Sequence, residues 1–345
     1  MSTSAELRPL PATAGLFVIA GSGSIGRRHF QNLRSLGAES LWFYRTGQRI
    51  APEPAPLAPQ DWDLTSALRR GPLAVMVCNP TARHVDVALA AARAGCHLFI
   101  EKPVSHTREG VAELEHEVRS RRRAALVGFQ YRCPPGLGQV GRWLEEGVIG
   151  EVVSARVIWG EYLPRWHPGE DWRKGYAARA DLGGGALLTL CHPFDSLRWL
   201  LGEVDSVSAE TTRTGILDLD VEDAAITTLR FRSGALATVE LDYIRRPRAH
   251  ELEILGRNGR IVWTDEEGTA RLHRANGSSQ VSPTPPGFSR NSMFLEEMRH
   301  FLAVLEGREA PRCSLEDGVR ALDVALAARE SARTGRRVTV SEECR

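Results

Sequence analysis

Gly21, Gly23 and Gly26 stand in the run GSGSIG, the G-x-G-x-x-G spacing that lets a main chain carry phosphate. The first glycine permits a tight turn, the second lets a pyrophosphate approach the backbone, and the third lets a following helix pack closely on the preceding strand. A helix opening at Ser24 and Ile25 turns unpaired N–H groups and a positive dipole end toward the same anion. The chemistry implied is dinucleotide binding. At the end of the next strand, where a carboxylate ordinarily holds the adenosine ribose, the sequence carries Arg45 and Thr46. A guanidinium there attracts a 2′-phosphate, so NADP(H) is expected; NAD(H) stays open because arginine also stacks on adenine.

Such a loop must hang from a parallel sheet, and the first third of the chain has the grammar of one: short apolar runs alternate with helix-period segments. Strands are expected at 16–20, 41–44, 73–78, 97–100 and 125–128, and helices at 25–36, 82–94 and 107–123. The Pro- and Ala-rich stretch 47–60 reads as a surface loop. After Gly128 the pattern changes. A helix near 138–146, a strand at 151–159, a polar aromatic loop to Asp181 and a helix to about Leu201 precede period-two runs at 204–212, 224–231, 235–243, 251–256 and 260–264. Asn258-Gly259 reads as a type I′ hairpin turn between the last two. Helices near 294–305 and 315–333 close the chain. The fold class expected is α/β: a doubly wound Rossmann domain over 1–128, then an α+β domain over 129–345 built on a mostly antiparallel sheet, with helix 315–333 able to pack back on the first.

A chain of 345 residues exceeds one ordinary core, in keeping with two domains. Its 44 Lys plus Arg against 43 Asp plus Glu leave no electrostatic reason to expect nucleic acid or an anionic membrane as partner. The N-terminal residues lack a basic, apolar leader pattern and no later stretch has the apolar length of a membrane span, so a cytoplasmic protein is expected. Cys78, Cys96, Cys133, Cys191, Cys313 and Cys344 are scattered, without C-x-x-C or zinc-like histidine spacing, so neither disulfides nor a metal is expected.

Four ordered runs are more specific than the general motif: GSGSIGRRHFQNLRSLG, CNPTARHVDVALAAARAGCHLFIEKP, GGGALLTLCHPFDSLRWLLGEV and VEDAAITTLRFRSGALATVEL. Together they resemble the glucose-fructose oxidoreductase / inositol dehydrogenase / MocA (Gfo/Idh/MocA) family. The resemblance implies a second domain with a large open-faced sheet that joins subunits, a homodimer or homotetramer, and hydride transfer between nicotinamide and a sugar-like or other small polar molecule at a carbinol, carbonyl or imine carbon.

It also implies site residues. In Glu101-Lys102-Pro103, often with a cis Lys-Pro bond, the lysine stands beside nicotinamide and substrate, where an ammonium stabilises negative charge developing on the reacting oxygen. Asn79, Pro80 and His84 should lie near the nicotinamide. His192 matches the family's proton-carrying histidine, and Asp195, three residues on, could orient it or hold a hydroxyl. The aspartate common one turn before that histidine is missing here; Thr189 is the nearest polar replacement and cannot support an imidazolium by charge. The loop holding Tyr162, Arg165, His167, Asp171 and Tyr176 has the mix of rings, carboxylate and cations that a polyhydroxylated ligand needs; a charged surface or subunit-contact loop is the alternative. Two other functional readings stay open: a dinucleotide-sensing regulator without turnover, and an enzyme with tightly held dinucleotide and no net redox.

Overall fold

A computed structural model describes residues 11–45, 58–166 and 169–340. The first part runs β1 (Phe17–Ala20), α1 (Ser24–Ser35), β2 (Leu41–Tyr44), β3 (Gln60–Asp61), α2 (Leu64–Arg69), β4 (Ala74–Val77), α3 (His84–Arg93), β5 (His97–Glu101), α4 (Val111–Ser120) and β6 (Ala125–Gly128). These strands form a parallel sheet in the order β3-β2-β1-β4-β5-β6. Successive residues of a strand feed opposite cores, which is why the runs read as continuously apolar. Phe17, Ile19, Met76 and Phe99 pack with Phe30 and Leu33, while Val18, Val75, Val77 and Leu98 pack with Val87, Ala88 and Leu114.

The second part runs α5 (Pro135–Glu145), β7 (Val152–Gly160), α6 (Ala186–Thr189), α7 (His192–Leu201), β8 (Val204–Thr212), β9 (Ala224–Phe231), β10 (Leu236–Asp242), β11 (Ala249–Gly256), β12 (Gly259–Thr264), β13 (Thr269–Arg274), β14 (Ser279–Ser282), α8 (Arg290–Leu305), α9 (Leu315–Thr334) and β15 (Val338–Thr339). Its sheet has the order β14-β13-β12-β11-β7-β10-β9-β8-β15, antiparallel except where β7 pairs with β10. One face packs on helices. The other leaves Ile226, Leu236, Leu255 and Val281 exposed. The two late helices reach back to the first sheet: Met298 and Phe301 of α8 join its core, and Asn291 donates to Asn32 at 2.9 Å. Ser314, before α9, bridges Leu126 of β6. No described helix is long and apolar enough to cross a membrane.

Several local expectations change. The helix expected from Thr107 begins at Val111, because Gly110 takes φ +71° and ends the preceding turn. Ala82 lies in a separate single turn, Thr81–Arg83, before α3. The helix expected to end near Leu201 is broken at 190–191 into α6 and α7. The Asn258-Gly259 turn is not type I′: Gly256 pairs with Gly259, so Arg257-Asn258 form the loop, and none of these residues has positive φ. Gly259 serves a different need, since a Cβ there would overlap the His273 carbonyl on β13. Residues 47–57 of the expected loop lie outside the described residues, and Gln60 starts β3 instead. β13 and β14 lay in a stretch left without an element, where arginines and serines obscure the alternation.

Candidate functional site

The glycine loop divides its labour as the spacing implies. Gly21 has φ +115°, and a Cβ there would stand 2.6 Å from the Cys78 carbonyl oxygen. A Cβ on Gly26 would overlap the Gly21 carbonyl, so only hydrogen lets α1 lie this close to the loop. At Gly23, the N-cap of α1, a Cβ would meet nothing within 4 Å, and no side chain caps the helix. Ser24 and Ile25 therefore open a helix with no acid in its first turn, facing open space: a site that fits a pyrophosphate.

Just past β2, Arg45 donates its backbone N–H to the Asp61 main-chain carbonyl (3.0 Å) and its guanidinium lies 5.0 Å from the Trp62 ring. The strand pairing places a carboxylate that local spacing does not reveal, Asp61, beside Tyr44. Arg70 holds that carboxylate through Nε (2.8 Å) and Nη2 (3.3 Å). Thr46 lies outside the described residues.

β5 carries Glu101 and, directly after it, Lys102. Glu101 is buried against His29, whose Nε2 lies 2.6 Å from the carboxylate. Lys102 points the other way and donates from Nζ to the Thr189 carbonyl at 2.7 Å. The Lys102-Pro103 bond is cis. His84, 1% exposed, lies between the carbonyls of Asn79 and Pro103, each 2.8 Å from a ring nitrogen, so it clamps two sheet-edge loops instead of facing a ligand. Pro80 begins the turn after β4. Asn79 donates its amide to the Arg83 carbonyl and keeps Oδ1 buried without a partner, an acceptor that suits a carboxamide N–H.

Across from Lys102, His192 opens α7 among Phe129, Tyr131 and Trp159, with ring centroids 5.7, 4.9 and 5.9 Å away, and its Nε2 is 3.4 Å from the Gln130 amide. Burial, reinforced by Lys102, pushes the imidazole well below the usual histidine range, so it is neutral near pH 7. Burial also opposes the Lys102 charge, but Tyr176, Cys191, Glu101 and Glu161 outweigh it and hold the ammonium above the ordinary lysine value. Only Lys102 and Lys174 among the 44 basic residues are lysines, a signal in the sequence for a position that needs an ammonium and not a guanidinium.

Asp195 does not orient the imidazole. Its carboxylate is buried in a two-point pair with Arg132 (2.7 and 3.0 Å), whose fork claims both oxygens and ties α7 to the 130–132 turn beside His192. Thr189 contributes its carbonyl, while His192 Nδ1 is buried without a partner. In the loop, Tyr176 is a neighbour of Lys102, and Tyr162 lies 4.4 Å under the Arg246 guanidinium and 6.0 Å from that of Arg165. Asp171 is exposed, caps the turn Trp172–Lys174 and pairs with Arg173 and Lys174, so it is committed locally. His167 lies outside the described residues.

The sheet adds a wall that sequence reasoning missed. Trp159 and His250 are register partners on β7 and β11, and their rings stack at 4.0 Å and 7°. His250 Nε2 lies 2.9 Å from Glu161, and Nδ1 lies 3.2 Å from the Tyr131 hydroxyl and 3.5 Å from Asp265. Burial would raise the Glu161 carboxyl, but His250 and nearby arginines hold it below the usual range. Period two on both strands was legible; which tryptophan meets which histidine needed the register.

Residues 16–129 match the family model described as "Oxidoreductase family, NAD-binding Rossmann fold", and residues 142–340 match its "C-terminal alpha/beta domain". The chain belongs to the Gfo/Idh/MocA oxidoreductase family. It is an NAD(P)-dependent oxidoreductase, as the four ordered motifs led us to expect. It is similar to 1,5-anhydro-D-fructose reductase of Ensifer adhaerens, 30% identical over 76% of this chain and 78% of that one. It is also similar to myo-inositol 2-dehydrogenase of Thermotoga maritima, 30% identical over 78% and 80%. Among solved structures, levoglucosan dehydrogenase in complex with NADH and L-sorbose shares the fold at a TM-score of 0.84, with 23% identity and coverage of 95% and 99%.

Proposed function

We propose that this oxidoreductase moves a hydride between a nicotinamide dinucleotide held at the carboxyl edge of the parallel sheet and a carbinol or carbonyl carbon of a sugar-like polyol. The observation that carries the reading is Lys102, anchored by Nζ to the Thr189 carbonyl at the sheet edge that also carries the open glycine loop, with His192 opening α7 three residues after Thr189. Gly21, Gly23, Gly26 and the first turn of α1 would hold the pyrophosphate, and Asn79 and Pro80 would border the nicotinamide, which when bound accepts or supplies the hydride. In the oxidative direction His192 takes the hydroxyl proton as the C–H electron pair leaves. The Lys102 ammonium stabilises the alkoxide-like oxygen. Glu161, held by His250, together with Tyr162 and Tyr176, offers acceptors and ring faces for further hydroxyls. The names of the relatives, an anhydrofructose reductase and an inositol dehydrogenase, support the polyol class.

The finer reading assigns NADP(H) through Arg45, a division of labour between residues 1–128 and 129–345, a cytoplasmic location, and a homodimer or homotetramer joined through the exposed sheet face. The apolar side chains Ile226, Leu236 and Leu255 on that face, interspersed with the Arg260–Glu253 pair, support a subunit contact. The test is calorimetric titration with NADH and NADPH, followed by reduced-nicotinamide absorbance with a panel of polyols, cyclitols and anhydrosugars. Turnover with at least one of them is expected. Dinucleotide binding without turnover across the panel would favour the sensing reading, and absence of binding would overturn both.

A further inference from the structure

Lys102 takes its place from a carbonyl, and that carbonyl belongs to a very short helix. α6 has four residues, and its backbone bonds include Thr189 N–H to Gly185 (2.9 Å) and Leu190 N–H to Ala186 (3.0 Å), too few to hold it by helical cooperativity. Its first donors go to one residue outside it. The Ala186 N–H donates to the Glu222 main-chain carbonyl at 3.0 Å, and the Leu187 N–H donates to the Glu222 carboxylate at 3.1 Å. The fit is tight: Gly185 has φ +104°, and a Cβ there would stand 2.5 Å from the same carboxylate oxygen. Leu187 is 1% exposed, so without that oxygen its N–H has no water to turn to.

We propose that Glu222, in the segment entering β9, is a positioning residue for Lys102, acting through α6: its carboxylate fixes the first turn and thereby sets where the Thr189 carbonyl, the acceptor of the catalytic ammonium, stands. His192, three residues after Thr189, shares the same anchorage. The role requires a hydrogen-bond acceptor at the right reach, not a negative charge. Glutamine in place of Glu222 keeps the acceptor and loses the charge; aspartate keeps the charge and shortens the reach by one methylene.

The proposal rests on the catalytic role of Lys102 given above, and one readout is independent of substrate. Because Lys102 and Lys174 are the chain's only lysines, metabolic labelling with [13Cε]lysine yields two side-chain signals, and Lys174 is the exposed control. In the full-length protein, Glu222→Ala and Glu222→Asp are expected to lower the Lys102 pKa by about one unit, since an ammonium that loses its acceptor is less favoured, while Glu222→Gln titrates like wild type. With a working polyol, Ala and Asp should cut kcat about tenfold and Gln should restore it, with NADH and NADPH affinity unchanged throughout. If Ala does not fold, the Asp and Gln pair decides. The proposal is overturned if Gln shifts Lys102 as far as Asp does or further, because the acceptor would then not suffice without the charge, or if neither Ala nor Asp shifts it. Wild-type protein that turns over no polyol would count against the functional reading, and the lysine titration would still decide the positioning.

Discussion

Gly23 and Gly26 are three residues apart in one loop, yet replacing them should give opposite results. At Gly26 an added Cβ would overlap the Gly21 carbonyl oxygen, backbone against backbone, so Gly26→Ala must push α1 away from β1. Overpacking of that kind costs about 1–3 kcal/mol, and at about 2–4 °C per kcal/mol the melting temperature should fall by several degrees. At Gly23 a Cβ meets nothing within 4 Å, and φ −68° with ψ −175° is backbone any residue adopts. Gly23→Val should therefore cost only the helix-cap preference, about 1 kcal/mol or less. The same side chain stands where the pyrophosphate must approach. Loss of charge-assisted hydrogen bonds worth about 1.5–3 kcal/mol each should weaken dinucleotide binding by about a hundredfold or more. The assay pairs thermal melts with calorimetric titration of NADH and NADPH. Gly23→Val that binds like wild type would place the phosphates elsewhere, and Gly23→Val that melts like Gly26→Ala would refute the packing argument.

Lys102→Ala should lower kcat on the order of a thousandfold and His192→Ala on the order of a hundredfold, both with dinucleotide Kd preserved; a dead His192→Ala beside an active Lys102→Ala would reverse the assignment. Since His192 is held well below 6.5, polyol oxidation should show no loss from its protonation as pH falls from about 8 to about 6, and an acid limb near 6.5 that vanishes in His192→Ala would contradict this. Wild type should bind NADPH about tenfold to a hundredfold more tightly than NADH, with Arg45→Asp reversing the order; equal affinities in wild type would dispose of the phosphate contact. Glu297 is buried, and burial first, then Glu101, raises its carboxyl well above 4.5. The folded state therefore keeps a proton that the unfolded chain releases, and stability is lost as pH rises above about 4.5 toward the folded value. The melting temperature of Glu297→Gln should gain on wild type between about pH 5 and pH 8, and a difference independent of pH would refute the shift.

What the sequence determined by itself was local. Strand, tight turn and helix follow from an apolar run, three glycine offsets and a helical period around Gly21, so this strand–turn–helix unit was legible before any tertiary contact. The first sheet followed too, because both of its faces are buried and its strands advertise themselves. Lys102 and His192 were reached through ordered motifs. The contacts that decide the chemistry join residues far apart in the chain, and spacing is silent about these. Asp195, three residues from His192, is claimed by Arg132 because a planar guanidinium satisfies both carboxylate oxygens at once. His250 reaches the site only because β11 lies beside β7 in a register that stacks it on Trp159. Asp61 comes beside Tyr44 across a strand pair, and Glu222 meets α6 from beyond α7 and β8. A side chain's partner is set by which backbone passes within hydrogen-bond reach, and that is a property of the packed chain.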